Sequence, residues 1–226
     1  MDLDKNGFEV VQHKFFTEEE FSYGSLNQQV YYQEVIDLLK QRLKAQDVII
    51  YHHAFRARTS PISVDQCNVN NRNPLFYPHA DIDSNEARRK LSQLLGDEKA
   101  KEAMKSRFQL VNLWRPIGPN PIIDKPLALC DYQTIDLERD VHSLIIGESG
   151  NVPSSYTMSC NDENRHRWYY LSSMQSDEMF IFKMFDSKTN VATFAFHSAC
   201  VNESVSPSVY ADQKSIEIRC LVLYSE

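Results

Sequence analysis

The run Ser215-Ile-Glu-Ile-Arg-Cys-Leu-Val-Leu-Tyr224 is the most strand-like in the chain. It is rich in aliphatic residues and apolar at both side-chain parities, the pattern of a strand covered on both faces. Upstream, Phe108–Arg115, Ala128–Asp131, Ser155–Ser159, Trp168–Ser172, Met179–Phe185 and Ala192–His197 also read as strands. Turn-forming residues separate them at Gly118-Pro-Asn-Pro121 and at 147–153, 162–164, 187–190 and 204–208. Asp47–Phe55 and Leu75–Ile82 add two earlier strands, and 60–74 reads as a polar loop. Many short strands with irregular connections predict a β-sandwich or jelly roll.

Helical signals are confined to the first half. Gln28–Ala45 places Val30, Val35, Ile36, Leu38, Leu39 and Leu43 roughly on one face. Ser84 is positioned to cap a helix over about 85–95, and a second helix follows over 97–106. Phe8, Val10 and Phe15 lie in a mixed stretch that reads as an extended arm. The predicted class is mainly β with flanking helices (α+β). It is a double-stranded β-helix of the jelly-roll, cupin-like kind, with the N-terminal helices packed on one face. One domain spans 1–226, with a helical lead-in at 1–46 and a β core at 47–226 that carries helices at about 85–106.

Composition excludes several function classes. A chain of 226 residues with 42% hydrophobic and 11% aromatic residues buries a core and is not disordered. The net charge of −7 argues against nucleic acid as a partner. No apolar run approaches the roughly 18 residues of a membrane span, and the first residues lack the apolar centre of a signal peptide. The expected location is cytoplasmic, away from membranes. Six glycines allow neither GxGxxG nor GxxxxGK nor GxSxG, and no histidine begins HExxH. Five dispersed cysteines with no CxxC fit reduced thiols.

Chemistry concentrates in Leu75-Phe-Tyr-Pro-His-Ala-Asp-Ile82. On a strand His79 and Asp81 point to the same face, about 7 Å apart along the backbone. An imidazole and a carboxylate so placed can share a metal, although HxD by itself is common by chance. A facial triad of two histidines and one carboxylate needs another histidine from elsewhere and leaves positions open for substrate and O2. The candidates are His142, His166 and His197. His142 sits in a weakly patterned segment. His166 lies in Arg165-His-Arg-Trp-Tyr-Tyr170, and His197 ends Thr193-Phe-Ala-Phe-His197. Arg219, inside an apolar strand, must be paired, and its planar fork suits a carboxylate. In 2-oxoglutarate oxygenases such an arginine follows the distal histidine and grips the cosubstrate, an order that His197 and Arg219 match. The alternative partner is a structural acid such as Glu217 or Asp186.

The chain resembles the hydroxylase/desaturase family of fungal secondary metabolism, whose relatives include gibberellin-desaturase-like and cephalosporin-methoxylase-subunit-like proteins. The matching segments are Leu3-Asp-Lys-Asn-Gly-Phe-Glu-Val10, Val30-Tyr-Tyr-Gln-Glu-Val35, His53 with Arg56, His79-Ala-Asp, and Glu86-Ala-Arg-Arg89. They continue with Arg107-Phe-Gln-Leu-Val-Asn-Leu-Trp-Arg-Pro116, Pro126-Leu-Ala-Leu-Cys-Asp131, His166-Arg-Trp-Tyr-Tyr170, His197 and Ser215-Ile-Glu-Ile-Arg219. Two departures stand out. Pro74-Leu-Phe-Tyr-Pro78 replaces a basic-aliphatic run before the HxD, and relatives commonly carry a longer N-terminal extension.

The resemblance implies a non-haem Fe(II)/2-oxoglutarate-dependent dioxygenase. Its iron would sit on His79, Asp81 and His197, with O2 as oxidant. The far carboxylate of 2-oxoglutarate would sit on Arg219, and Arg115 is a second carboxylate anchor or a tie to Asp131 or Asp186. Phe76, Tyr77, His53, Trp114, His166 and Trp168 would wall a pocket for a small-molecule secondary metabolite. That metabolite would be hydroxylated, desaturated or oxidatively cyclised. His53 and Arg56 fall on opposite strand faces, so only one faces the site. His166 also reads as a satisfied core histidine, Lys183 with Asp186 as a buried pair, and Glu86, Arg88, Arg89 and Lys90 as a solvated helix face. A homodimer or a heteromeric pathway partner is compatible with the sequence. The competing functions are a redox-neutral metal-dependent isomerase or cyclase, and a non-catalytic substrate-binding partner subunit.

Overall fold

The computed structural model describes residues 1–17, 19–58, 73–145, 154–160, 164–204 and 213–225. The expected turns at 147–153, 162–163 and 205–208 and most of the loop at 60–74 lie outside the described residues.

The apolar C-terminal run forms β11 (Gln213–Leu223), flanked on both edges by antiparallel partners. These are β4 (Phe108–Ile117) and β2 (Asp47–Arg58). With β9 (Glu178–Asp186) and β1 (Phe8–Gln12) they make a five-stranded sheet in the order β1-β9-β4-β11-β2. The second sheet is built from short strands. They are β3 (His79–Ala80), β5 (Leu127–Cys130), β6 (Val141–Ile145), β7 (Ser154–Met158), β8 (Trp168–Tyr169) and β10 (His197–Ala199). Its order is β6-β7-β3-β10-β5-β8. The two antiparallel sheets face each other across Phe8, Trp114, Phe180 and Phe182 on one side and Leu129 and Ala195 on the other. This is the expected jelly roll.

Helix α2 (Leu26–Leu43) covers the outer face of the five-stranded sheet. Its buried stripe, Tyr31, Val35 and Leu39, packs on Val111, Leu113, Ile216 and Ile218. Each of those strand residues alternates with one that faces the inter-sheet space. Helices α3 (Ser84–Leu95) and α4 (Asp97–Ala103) bury Ala87, Leu91 and Ala100 against Phe108, Leu110, Met184 and Leu221. No helix among the described residues is long and apolar enough to cross a membrane.

Several local expectations need correction. The cap of α3 is Asp83, which accepts a hydrogen bond from the Glu86 amide at 2.8 Å, and Ser84 is the first helical residue. Glu86 is buried rather than solvated, its charge met by Arg89 at 2.6 Å. Leu75–Ile82 contributes only the two residues of β3 to the sheet, because Pro74 and Pro78 cannot donate to a ladder. Of Ala192–His197 only His197 is in a strand. The preceding amides instead bond elsewhere, Ala192 to the Asp4 carbonyl and Ala195 to the Lys183 carbonyl. Trp168–Ser172 shortens likewise to β8, and β6 is an element that sequence patterning missed.

Those amides belong to an N-terminal tie. Helix α1 (Leu3–Asn6) is capped by Asp2 and ends at Gly7, whose φ of 84° is left-handed. A Cβ on Gly7 would lie 2.6 Å from the Phe194 carbonyl oxygen. Beneath it the expected Lys183–Asp186 pair is present at 2.6 Å, fully buried, and extends to Asp4 at 2.8 Å. Arg107 bridges Asp4 and Asp186, each at 2.6 Å. Burial raises the affinity of Asp4 and Asp186 for a proton, but the cations Lys183 and Arg107 outweigh it and hold both carboxyls below their usual range.

Two outcomes are expected. Gly7→Ala lowers the unfolding free energy by about 2 kcal/mol, read from urea midpoints, because a strained φ and a backbone clash coincide. The depressed carboxyls stabilise the fold fully above their unfolded pKa of about 3.9, and this contribution is lost as pH falls through the folded values. Urea midpoints between pH 7 and pH 2 therefore drop on the acid side, and Asp186→Asn flattens that drop.

Candidate active site

His79 and His197 are direct partners in the antiparallel pair of β3 and β10. Their ring centroids lie 4.3 Å apart. Each ring is oriented by its own chain two residues upstream: His79 Nδ1 meets the Tyr77 carbonyl at 3.0 Å and His197 Nδ1 the Ala195 carbonyl at 3.2 Å. A carbonyl only accepts, so each Nδ1 donates to it and Nε2 is the atom of each ring left to face the site. Asp81 follows His79 by two residues, and its Oδ2 is 3.8 Å from His197 Nε2. Ligand atoms from His79, Asp81 and His197 all lie within 4.8 Å of one another.

The opposite sheet holds the carboxylate. From β4, Asn112 Nδ2 donates to Asp81 Oδ2 at 2.7 Å. From β11, Arg219 Nη2 donates to Asp81 Oδ1 at 2.6 Å, and Arg219 Nε donates to Glu217 Oε1 at 2.8 Å. Glu217 Oε2 lies 3.4 Å from Arg56 Nη2, and Arg56 Nη1 donates to the Asn73 carbonyl at 2.9 Å. Burial raises the Asp81 pKa, yet Arg219, His197 and His79 together hold it far below the usual carboxylate range. Burial, with His79 beside it, pushes the His197 pKa down to about 4, so that ring is neutral at physiological pH. Burial also disfavours the charge on Glu217, but Arg219 outweighs it and the pKa stays lowered.

Two imidazoles and one carboxylate converging from one side form the donor set of a non-haem Fe(II) centre with open positions. The backbone carbonyls behind both Nδ1 atoms and the amide and guanidinium behind Asp81 supply the outer contacts such a centre needs. A further buried polar atom, Asn112 Oδ1, has no hydrogen-bond partner here.

Both histidines open onto a solvent-connected cavity between the sheets. Leu75, Trp114, Ile122, Leu127 and Phe182 form its apolar wall, and Arg56, Lys125, Gln213, Ser215 and Glu217 its polar part.

Of the expected pocket residues, Trp114 lines this cavity. Tyr77 packs its ring 4.8 Å from His79 and is half exposed; Phe76 is half exposed with the Lys125 ammonium 5.7 Å from its ring. His53 is a correction. It lies on the α2 side, hydrogen-bonded through Nδ1 to the Tyr32 hydroxyl at 2.6 Å, and Arg56 takes the cavity side. Arg115 is also displaced by strand alternation, since its neighbour Trp114 occupies the inner face. It donates to the Tyr31 hydroxyl at 3.0 Å and to the carbonyls of Thr17 and Ser176 at 2.7 and 2.6 Å, and it stacks on Phe15 at 4.3 Å. It touches neither a cosubstrate site nor Asp131 or Asp186. His166 is the satisfied histidine, bonded to Asp140 at 2.8 Å, and Trp168 packs with Phe196 and Cys130 on the outer face of the second sheet. His142 stands exposed on β6. Arg219 reaches Asp81 and Glu217, so the carboxylates on its fork belong to the protein.

Sequence reasoning gave Asn112 no role and named Glu217 only as a structural acid for Arg219, a pairing the structure contains at 2.8 Å. The available signal was a lone asparagine in β4, a strand buried along its whole length, and an acid two residues from a buried arginine.

The oxidoreductase/YMDC permease-like domain family matches residues 1–223. The hydroxylase/desaturase CTB9 of Cercospora beticola is 27% identical over 245 aligned residues, covering 99% of this chain and 72% of that protein. The alpha-ketoglutarate-dependent dioxygenase tstK of Talaromyces stipitatus is 22% identical over 224 residues, covering 98% and 79%. Among solved structures, the iron and alpha-ketoglutarate-dependent endoperoxidase NvfI superposes with a TM-score of 0.81 at 26% identity, over 100% of this chain and 82% of that one.

Titration with Co(II) is expected to show one tight site. His79→Ala, Asp81→Ala and His197→Ala each abolish it, and His166→Ala leaves it intact. Loss of the site in His166→Ala alone would move a ligand there.

Proposed function

This chain belongs to the oxidoreductase/YMDC permease-like domain family alongside the fungal hydroxylase/desaturases, and from that membership we propose that it is a non-haem Fe(II)/2-oxoglutarate-dependent oxygenase. It acts on an apolar small-molecule secondary metabolite by hydroxylation, desaturation or oxidative cyclisation. The observation that carries this reading is the convergence of His79 Nε2, His197 Nε2 and the Asp81 carboxylate at one wall of a largely apolar cavity. Iron bound there with 2-oxoglutarate supplies the oxidising power, drawn from O2, to break an unactivated C–H bond.

The chain's own residues prepare that event. The Tyr77 and Ala195 carbonyls orient the two imidazoles so that Nε2 of each faces the metal position, and Asp81 adds the negative charge. The far carboxylate of 2-oxoglutarate belongs on Arg56, because Nε and Nη2 of Arg219 are already engaged. Arg56 pairs across the strands with Ser215, and both line the cavity with Lys125. Trp114, Phe182, Ile122 and Leu127 exclude water and press the metabolite toward the metal side. The charges of Asp81 and Glu217 offset those of Arg56 and Arg219, and Lys125 adds one positive charge on the side where a dianionic cosubstrate would lie.

Anaerobic addition of Fe(II) and then 2-oxoglutarate is expected to produce the weak visible metal-to-ligand charge-transfer band, and aerobic incubation to yield succinate. Arg56→Ala weakens 2-oxoglutarate binding by about 10- to 100-fold, the value of a charge-assisted pair, with metal affinity unchanged. Bound metal without the band would overturn the oxygenase reading in favour of a redox-neutral metalloenzyme.

A further inference from the structure

Asp81 comes from the six-stranded sheet, yet its carboxylate is held by two adjacent strands of the other. Arg219 of β11 and Asn112 of β4 are cross-strand partners. They take one carboxylate oxygen each, Arg219 at 2.6 Å and Asn112 at 2.7 Å. A carboxylate offers about four lone-pair sites, so both bonds leave capacity for a metal. The arrangement has an electrostatic cost, since a guanidinium beside a metal ligand repels the cation that the ligand is to bind. Glu217, two residues away on the same strand face, meets that cost. Its Oε1 accepts from Arg219 Nε at 2.8 Å, cancelling the charge and fixing the plane of the fork.

We propose that Arg219 and Glu217 are positioning residues for the metal: Arg219 orients the Asp81 carboxylate, and Glu217 orients and neutralises Arg219. This rests on the metal-dependent reading above. It assigns to Arg219 a role distinct from cosubstrate recognition, and to Glu217 a role although no metal is expected to touch it. Loss of contacts behind a metal ligand weakens metal binding by about 10- to 100-fold.

The test is Co(II) titration of the whole chain without 2-oxoglutarate, read from the visible d–d bands, followed by 2-oxoglutarate titration at saturating metal. Glu217→Gln keeps the shape and loses the charge. Arg219→Lys keeps the charge and loses the fork. Both are expected to bind Co(II) at least tenfold more weakly and with altered band shape, while in Arg219→Lys the 2-oxoglutarate affinity at saturating metal changes less than about threefold. Circular dichroism melts of the metal-free proteins check folding, and if Arg219→Lys does not fold, Glu217→Gln alone decides. Unchanged Co(II) affinity in Glu217→Gln overturns the proposal. So does an Arg219→Lys protein that keeps its metal affinity but loses 2-oxoglutarate. A wild-type protein that binds no Co(II) would instead overturn the function itself, before either variant is compared.

Discussion

The site depends on a carboxylate that belongs to one sheet and is gripped by the other. Asp81 reaches across the inter-sheet space from the end of β3 to Asn112 and Arg219 on β4 and β11. A buried ionised carboxylate is costly unless every direction around it is answered, and here the answers come from an amide, a guanidinium and the two imidazoles beside it. The separation of the two sheets is therefore also the separation that sets metal-ligand geometry. The aromatic packing of Phe8, Trp114, Phe180 and Phe182 holds that spacing.

The five-stranded sheet does different work on its two faces. Its inner face presents Asn112, Trp114, Phe182, Glu217 and Arg219 to the site and cavity. Its outer face is apolar, sealed by α2, and crossed by one fully buried cation, Arg115. That cation bonds three oxygens and stacks on Phe15, so it anchors the residues preceding α2 to the sheet rather than contacting a ligand. Lys183 plays a similar part at the other edge, where it binds α1 through Asp4. The buried cations Arg115 and Lys183 and the half-buried Arg219 thus have different sets of partners. Only strand parity and the neighbouring elements tell them apart.

The polar part of the cavity contains a row of alternating charges, with Lys125 adding a further cation beside it. The alternation Arg56, Glu217, Arg219, Asp81 runs along the edge of β11 toward the histidines. A metal dication and an organic dianion fit such a row as a mutually neutral pair, whereas either one alone would leave it uncompensated. The wall facing that row is apolar, formed by Leu75, Trp114, Ile122, Leu127 and Phe182.

The chain alone made legible the two-sheet class, the position of the main helix and the alignment of His79 with Asp81. Each rests on local periodicity: two-residue alternation for strands, a 3.6-residue stripe for α2, and the i, i+2 relation that aligns His79 with Asp81. His197 was separable from His166 by its order before a buried arginine, and the structure brings His197 to His79 while sending His166 to Asp140. What the sequence did not decide was which face a polar residue takes and what it meets there. Trp114 and Arg115 are adjacent, and so are Cys220 and Arg219; within each pair, one faces the site and the other α2. His53 and Arg56 take opposite faces as their parity required, but which of them meets the cavity was open, and the strands at 75–82 and 192–197 were over-extended where prolines or bonds to α1 and β9 replaced the ladder. The partners of Arg219 lie 138 residues away in Asp81 and two residues away in Glu217. The first of these contacts exists only once two sheets have packed, because a side chain's partner across an interface is set by the spacing and registry of whole strands rather than by its neighbours in the chain.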